Sequence, residues 1–177
     1  MTLSIVIPAR YGSTRFPGKP LAEIGGQTML SRVVDVAREA AAAFNDVDIL
    51  VTTEDGRIAD HAAEIGVDCE MTPEDCPTGS DRVLKALQQR DASPDFVINL
   101  QGDTPFTPPE ILVDLITFCK ENPDARVVTP VHQLHWEGLD ALRSAKQTTP
   151  FSGTTCVRGA DGRALWFSKT IIPAIRS

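Results

Sequence analysis

Three cations, Arg10, Arg15 and Lys19, fall within ten residues that hold no acid, in a chain of 177 residues whose formal net charge is -7. They sit in Pro8-Ala9-Arg10-Tyr11-Gly12-Ser13-Thr14-Arg15-Phe16-Pro17-Gly18-Lys19-Pro20. Gly12 and Gly18 allow backbone N–H groups to approach an anion closely, and the prolines flanking Gly18 restrict the loop. Such a stretch suits a triphosphate; the plainer reading is a solvated basic loop after a strand. It is not the P-loop of ATPases and GTPases. Five residues separate Gly12 from Gly18, and Pro20 stands where that motif needs a hydroxyl for magnesium.

Two further stretches could do chemistry. Asp103, in Gln101-Gly102-Asp103-Thr104-Pro105, follows an apolar run and is suited to hold magnesium, which takes one or two carboxylates together with substrate phosphates. It could equally cap the turn before the next helix. Thr78-Gly79-Ser80-Asp81-Arg82 puts hydroxyls, an acid and an arginine at a helix start, where backbone donors are free. That segment reads either as a base or ribose contact or as an ordinary N-cap with a surface arginine. His132 and His135 lack a third ligand nearby and, like His61, read as surface or packing residues.

The elements that must position these loops form a β-α alternation. Residues 3–7 are apolar on both faces, as in an interior strand, and apolar positions from Met29 to Ala37 have helical spacing with Thr28 as N-cap. A strand over 48–53, a helix closed by Gly66, a strand over 67–71, a helix from Ser80 and a strand over 95–100 follow. Thr107-Pro108-Pro109-Glu110 reads as a capping box opening a helix, and 126–131 as a further strand. The pattern over 137–150 is weak, and 154–157 with 164–167 reads as an antiparallel hairpin. The expectation is a single α/β domain over 1–177: a mostly parallel sheet, helices on both faces, and ligands beyond the C-terminal strand ends.

Composition narrows the class. A pI near 4.9 with no extended basic face argues against nucleic acid, and no apolar run reaches the length of a membrane span or has the flanks of a signal peptide. A cytoplasmic protein with no membrane partner is expected. Cys69, Cys76, Cys119 and Cys156 are irregularly spaced, so reduced thiols are expected. The absence of Gly-x-Gly-x-x-Gly after the first strand excludes a dinucleotide redox site.

The motifs resemble, in order, those of the CMP-Kdo synthetases, the 3-deoxy-manno-octulosonate cytidylyltransferases. Residues 7–21 resemble the family's signature loop, Thr52-Thr53-Glu54-Asp55 its second strand-helix junction, 71–82 its base-binding segment, Asn99-Leu100-Gln101-Gly102-Asp103 its metal loop, and 164–173 the segment after the sheet. The resemblance implies a Rossmann-like, glycosyltransferase-A-like nucleotidyltransferase that couples CTP to the sugar acid Kdo, giving CMP-Kdo and pyrophosphate for lipopolysaccharide synthesis. It implies that Arg10, Arg15 and Lys19 neutralise the triphosphate and that Asp103 holds Mg2+. Pro8, Ala9, Gly12, Ser13, Gly79, Ser80 and Arg82 are implied as further CTP contacts, and Gln101 as a contact to the sugar acid.

The sequence departs from the family's pattern in places. Ser80 and Asp81 stand where the family usually has Thr and Glu, and Thr104 where it usually has a glutamate. Phe151-Ser152-Gly153-Thr154-Thr155-Cys156 is not the usual segment. Family members continue beyond the equivalent of Pro173, so the resemblance implies a C-terminally incomplete chain. The further part supplies a second metal carboxylate, much of the sugar-acid pocket and homodimer contacts in the family. Two alternatives stand beside this reading: transfer to another sugar acid, sialate-like or amino-octulosonate, and a CTP-binding module without catalysis. Tyr11 and the Pro20-Leu21 exit favour Kdo over sialate.

Overall fold

The first strand, β1 (Leu3–Pro8), is buried along its whole length, and its alternating side chains serve two separate cores. The computed structural model describes residues 1–12 and 16–173. They form two units, Met1–Val128 and Thr129–Ser177, each considered by itself.

In the first unit β1 is flanked by β4 (Val47–Thr53) and β6 (Phe96–Asn99), and β5 (Asp68–Met71) pairs with the outer side of β4. All three pairings are parallel, in the order β5-β4-β1-β6. Leu3, Ile5 and Ile7 pack with Leu30, Val33, Val34 and Ala37 of α1 (Met29–Ala41), Ile58 and Ala62 of α2 (Gly56–Glu64), and Leu112, Ile116 and Cys119 of α4 (Pro109–Glu121). Val6 and Leu50 face the opposite way, against Val83, Ala86 and Leu87 of α3 (Gly79–Gln89). Helices therefore cover both faces, as expected. α3 carries the chain from β5 back across β4 and β1 to β6, so the winding reverses between β1 and β6, and a crevice opens beyond their C-terminal ends.

Local chemistry explains most boundaries. Thr28 caps α1 by accepting from Ser31 N (3.1 Å), and Asp55 caps α2 by accepting from Arg57 N (3.0 Å). Thr78 and Asp81 form a reciprocal capping box at α3. A two-stranded turn, β2 (Glu23–Ile24) with β3 (Gln27–Thr28), precedes α1 and was not expected from the sequence. The expected capping box at 107–110 does not form. Pro108 is the N-cap of α4 without a side-chain bond, while Thr107 Oγ1 donates to Thr104 O (3.0 Å). The expected strand over 126–131 is also corrected: the stretch is irregular, Val127 is 89% exposed, and Pro130 offers no N–H for a ladder.

The second unit contains α5 (Trp136–Thr148) and an antiparallel hairpin, β7 (Thr155–Arg158) with β8 (Ala164–Ser168). The hairpin matches expectation. The helix was illegible as a helix because Leu139 is its one buried residue, leaving no apolar stripe to read. Lys146 of α5 donates to the carbonyl oxygens of Ser152 and Lys169, 2.5 Å each, tying the helix to the hairpin. Among the described residues no helix is long and apolar enough to cross a membrane.

Two outcomes follow. Ile116 is wholly buried under the sheet, so Ile116→Ala should lower unfolding stability by about 2–5 kcal/mol, read from the urea midpoint. All four cysteines are free, and burial, reinforced by the charge of Glu70, pushes the Cys69 thiol up to about 11. Iodoacetamide at pH 8 should therefore leave Cys69 unmodified in the native protein and alkylate it in urea; equal labelling in both would contradict the assignment.

Candidate functional site

The loops leaving β1 and β6 meet at the point where the winding reverses and enclose a cleft of about 380 Å³. Pro8, Ala9, Arg10, Lys19 and Pro20 line one side, and Gln101, Gly102 and Asp103 the other. The two loops are in backbone contact. Gly102 N donates to Pro8 O (3.3 Å), and a Cβ at position 102 would lie 2.8 Å from that oxygen and 3.5 Å from Ala9 Cα. Position 102 thus excludes any side chain.

Lys19 begins a single 3-10 turn, Lys19–Leu21, after Gly18. Gly18 adopts φ 71°, and a Cβ there would meet the Tyr11 ring at 3.0 Å. From this turn Lys19 Nζ reaches across the cleft to Asp103 Oδ2 at 2.9 Å. Asp103 is more than half exposed, so the pair is solvent-screened and contributes at most about 1 kcal/mol. It can open readily to other partners.

Behind the cleft lies an ion pair that the sequence concealed. Arg82 was read as a direct nucleotide contact or a surface arginine. Its side chain is instead wholly buried, so as it stands it has no surface to offer a ligand. Arg82 Nη1 donates to Thr72 Oγ1 (2.5 Å), Thr72 Oγ1 donates to Thr53 O (3.2 Å), and Arg82 Nη2 lies 3.2 Å from Glu54 Oε2. The other oxygen, Glu54 Oε1, accepts from Tyr11 N at 3.0 Å and Gly12 N at 3.4 Å. The Gly12 amide, expected to face an anion, is therefore turned with that of Tyr11 to an internal carboxylate. Glu54 was assigned no role from sequence. The available signal was an acid following a strand on the same sheet edge as the other loops.

The third loop also joins. The position of a Cβ on Gly79 would lie 3.3 Å from both Gln101 Oε1 and Pro8 Cγ, so the start of α3 abuts the cleft. Gln101 Nε2 donates to Asn99 Oδ1 (2.7 Å), and Asn99 Nδ2 donates to Ser80 Oγ (3.0 Å), a polar relay linking the sugar-acid candidate to the base-binding candidate. The structure thus gathers Pro8, Ala9, Arg10, Lys19, Gly79, Ser80, Gln101 and Asp103 along one sheet edge. It turns Arg82 and the Gly12 amide toward Glu54. Ser13 and Arg15 lie outside the described residues.

Among the described residues no group of three or more His, Cys, Asp or Glu side chains could hold a metal ion. Asp103 is a single exposed carboxylate. That donor set fits magnesium with phosphate oxygens and water completing its shell, and does not fit a metal held by protein alone.

Comparison with known proteins agrees with this geometry. A cytidylyltransferase family model matches residues 4–177. A 3-deoxy-manno-octulosonate cytidylyltransferase of Maricaulis maris is 42% identical over 174 residues, covering 98% of this chain and 66% of the relative. One from Chlamydia trachomatis serovar L2 is 36% identical, covering 95% and 62%. The chain therefore spans less than two thirds of the length of these two curated relatives. A solved CMP:2-keto-3-deoxy-manno-octonic acid synthetase complexed with CTP superposes with a TM-score of 0.83 at 32% identity, covering 99% of this chain and 67% of that one. The chain belongs to the cytidylyltransferase family that includes the 3-deoxy-manno-octulosonate cytidylyltransferases.

Proposed function

We propose that the cleft between β1 and β6 binds CTP and that the protein transfers its cytidylyl group to Kdo, releasing pyrophosphate. The observation that carries the reading is Lys19 meeting Asp103 across the switch-point crevice that Arg10 also lines. Likeness to the CTP-bound synthetase supports the nucleotide, and the names of the curated relatives support the sugar acid. A cytoplasmic homodimer belongs to the same proposal and rests on the family resemblance of the motifs alone.

The reaction joins two anions. The anomeric hydroxyl oxygen of the sugar acid forms a bond to the α-phosphorus and loses its proton to solvent, as the bond from that phosphorus to the pyrophosphate oxygen breaks and pyrophosphate leaves. Arg10 and Lys19 lower the repulsion of this approach, with Arg15 as a third cation. Lys19 leaves Asp103 for the triphosphate, which frees the carboxylate for magnesium; the exposed ion pair opposes this exchange only weakly. When bound, magnesium would neutralise phosphate charge and steady the leaving pyrophosphate. Gly79 and Ser80, which adjoin Gln101 and Asn99 at the cleft, are assigned in this reading to the cytidine, and Gln101, which donates to Asn99, to the sugar acid.

Pyrophosphate release from CTP and Kdo tests the reading. It should require both substrates and stop on chelation of magnesium; release that is independent of the sugar acid would contradict it. Asp103→Ala should lower turnover by about 100-fold or more while leaving the urea midpoint unchanged. Lys19→Ala should weaken CTP about 10–100-fold, as loss of a charge-assisted contact predicts, and weaken sugar-acid binding much less. Gly102→Ala, which drives a methyl into Pro8 O, should reduce affinity for both substrates.

A further inference from the structure

We infer that Glu54, held from behind by Arg82, is the positioning residue that sets the first loop in register with the cleft. Three observations carry this. Glu54 Oε1 takes up the Tyr11 and Gly12 amides, the first residues beyond Arg10. Tyr11 O in turn accepts from Gly18 N (2.9 Å), the residue before Lys19, and its ring lies under the Arg57 guanidinium at 3.3 Å and against Gly18. Both described ends of the loop are therefore referenced to Tyr11, and Tyr11 to Glu54. Finally, Glu54 cannot drift: its side chain is 11% exposed, it faces a fully buried guanidinium, and Thr72 pins that guanidinium to the end of β4.

The buried pair has hydrogen-bonding capacity left over. Glu54 Oε2 and Arg82 Nε and Nη2 make no hydrogen bond among the described residues, although Nη2 lies 3.2 Å from Oε2. A pair selected only to stabilise the core would be expected to satisfy these atoms. Here the carboxylate is instead oriented by the loop amides on its other oxygen.

The consequence for the nucleotide rests on the cytidylyltransferase reading; the positioning itself does not, and the experiment separates them. Amide exchange measured by NMR on the whole chain should show a slow Tyr11 amide in the wild type. Glu54→Ala should release that amide while those of β1 stay protected, and should weaken CTP about 10-fold or more. Glu54→Gln keeps an acceptor oxygen without the charge and should restore Tyr11 protection and part of the affinity. Adding Arg82→Met to Glu54→Ala should cost no further CTP affinity. A fast Tyr11 amide in the wild type, or unchanged Tyr11 exchange in Glu54→Ala, would overturn the inference. If the wild type fails to bind CTP while Glu54→Ala still frees Tyr11, the nucleotide reading falls and the positioning role stands.

Discussion

The close approach of Gly102 to Pro8 is the contact on which the site depends. A parallel sheet in the order β5-β4-β1-β6 splits its crossovers between two faces, and the loops leaving β1 and β6 diverge around the line where that split occurs. A crevice results in any such fold. Here it is narrowed until backbone meets backbone, because position 102 carries no Cβ and its N–H reaches the carbonyl of Pro8. Cations from one strand end then confront a carboxylate from the other across a single cleft, in a chain that is acidic overall.

Charge is distributed in two layers. In the cleft, Lys19 and Asp103 form an exposed, weakly coupled pair suited to exchange partners. Behind it, Glu54 and Arg82 form a buried pair in which losing either partner would strand a charge, a cost of about 3–5 kcal/mol in comparable cases. The front pair is exposed enough to exchange partners, and the rear pair is not. Rigidity below and lability above is what a site needs when it must hold a polyanion and then release it.

Much of this was legible in the sequence because its signals are local. Apolar runs, Thr28 as a helix cap, and loops rich in glycine, proline and charge marked the sheet, the helices and most of the cleft residues. What escaped depended on partners distant in the chain. Arg82, read from its neighbours, is an arginine in the first turn of a helix and looks solvated; only the fold brings Glu54 and Thr72 against it. Gly12 looked like an amide free to meet phosphate until Glu54 was found there. Residues 126–131 have the valines of a strand but no ladder, and α5 forms with hardly any buried face.

The central claim is that the crevice between β1 and β6 is the nucleotide site. Titration of the isotopically labelled protein with CTP and magnesium, followed through backbone amide shifts, tests it most directly. Saturable changes are expected at Arg10, Lys19, Gly79 and 101–103. Saturable changes confined to other parts of the chain, or no binding at millimolar CTP, would contradict it.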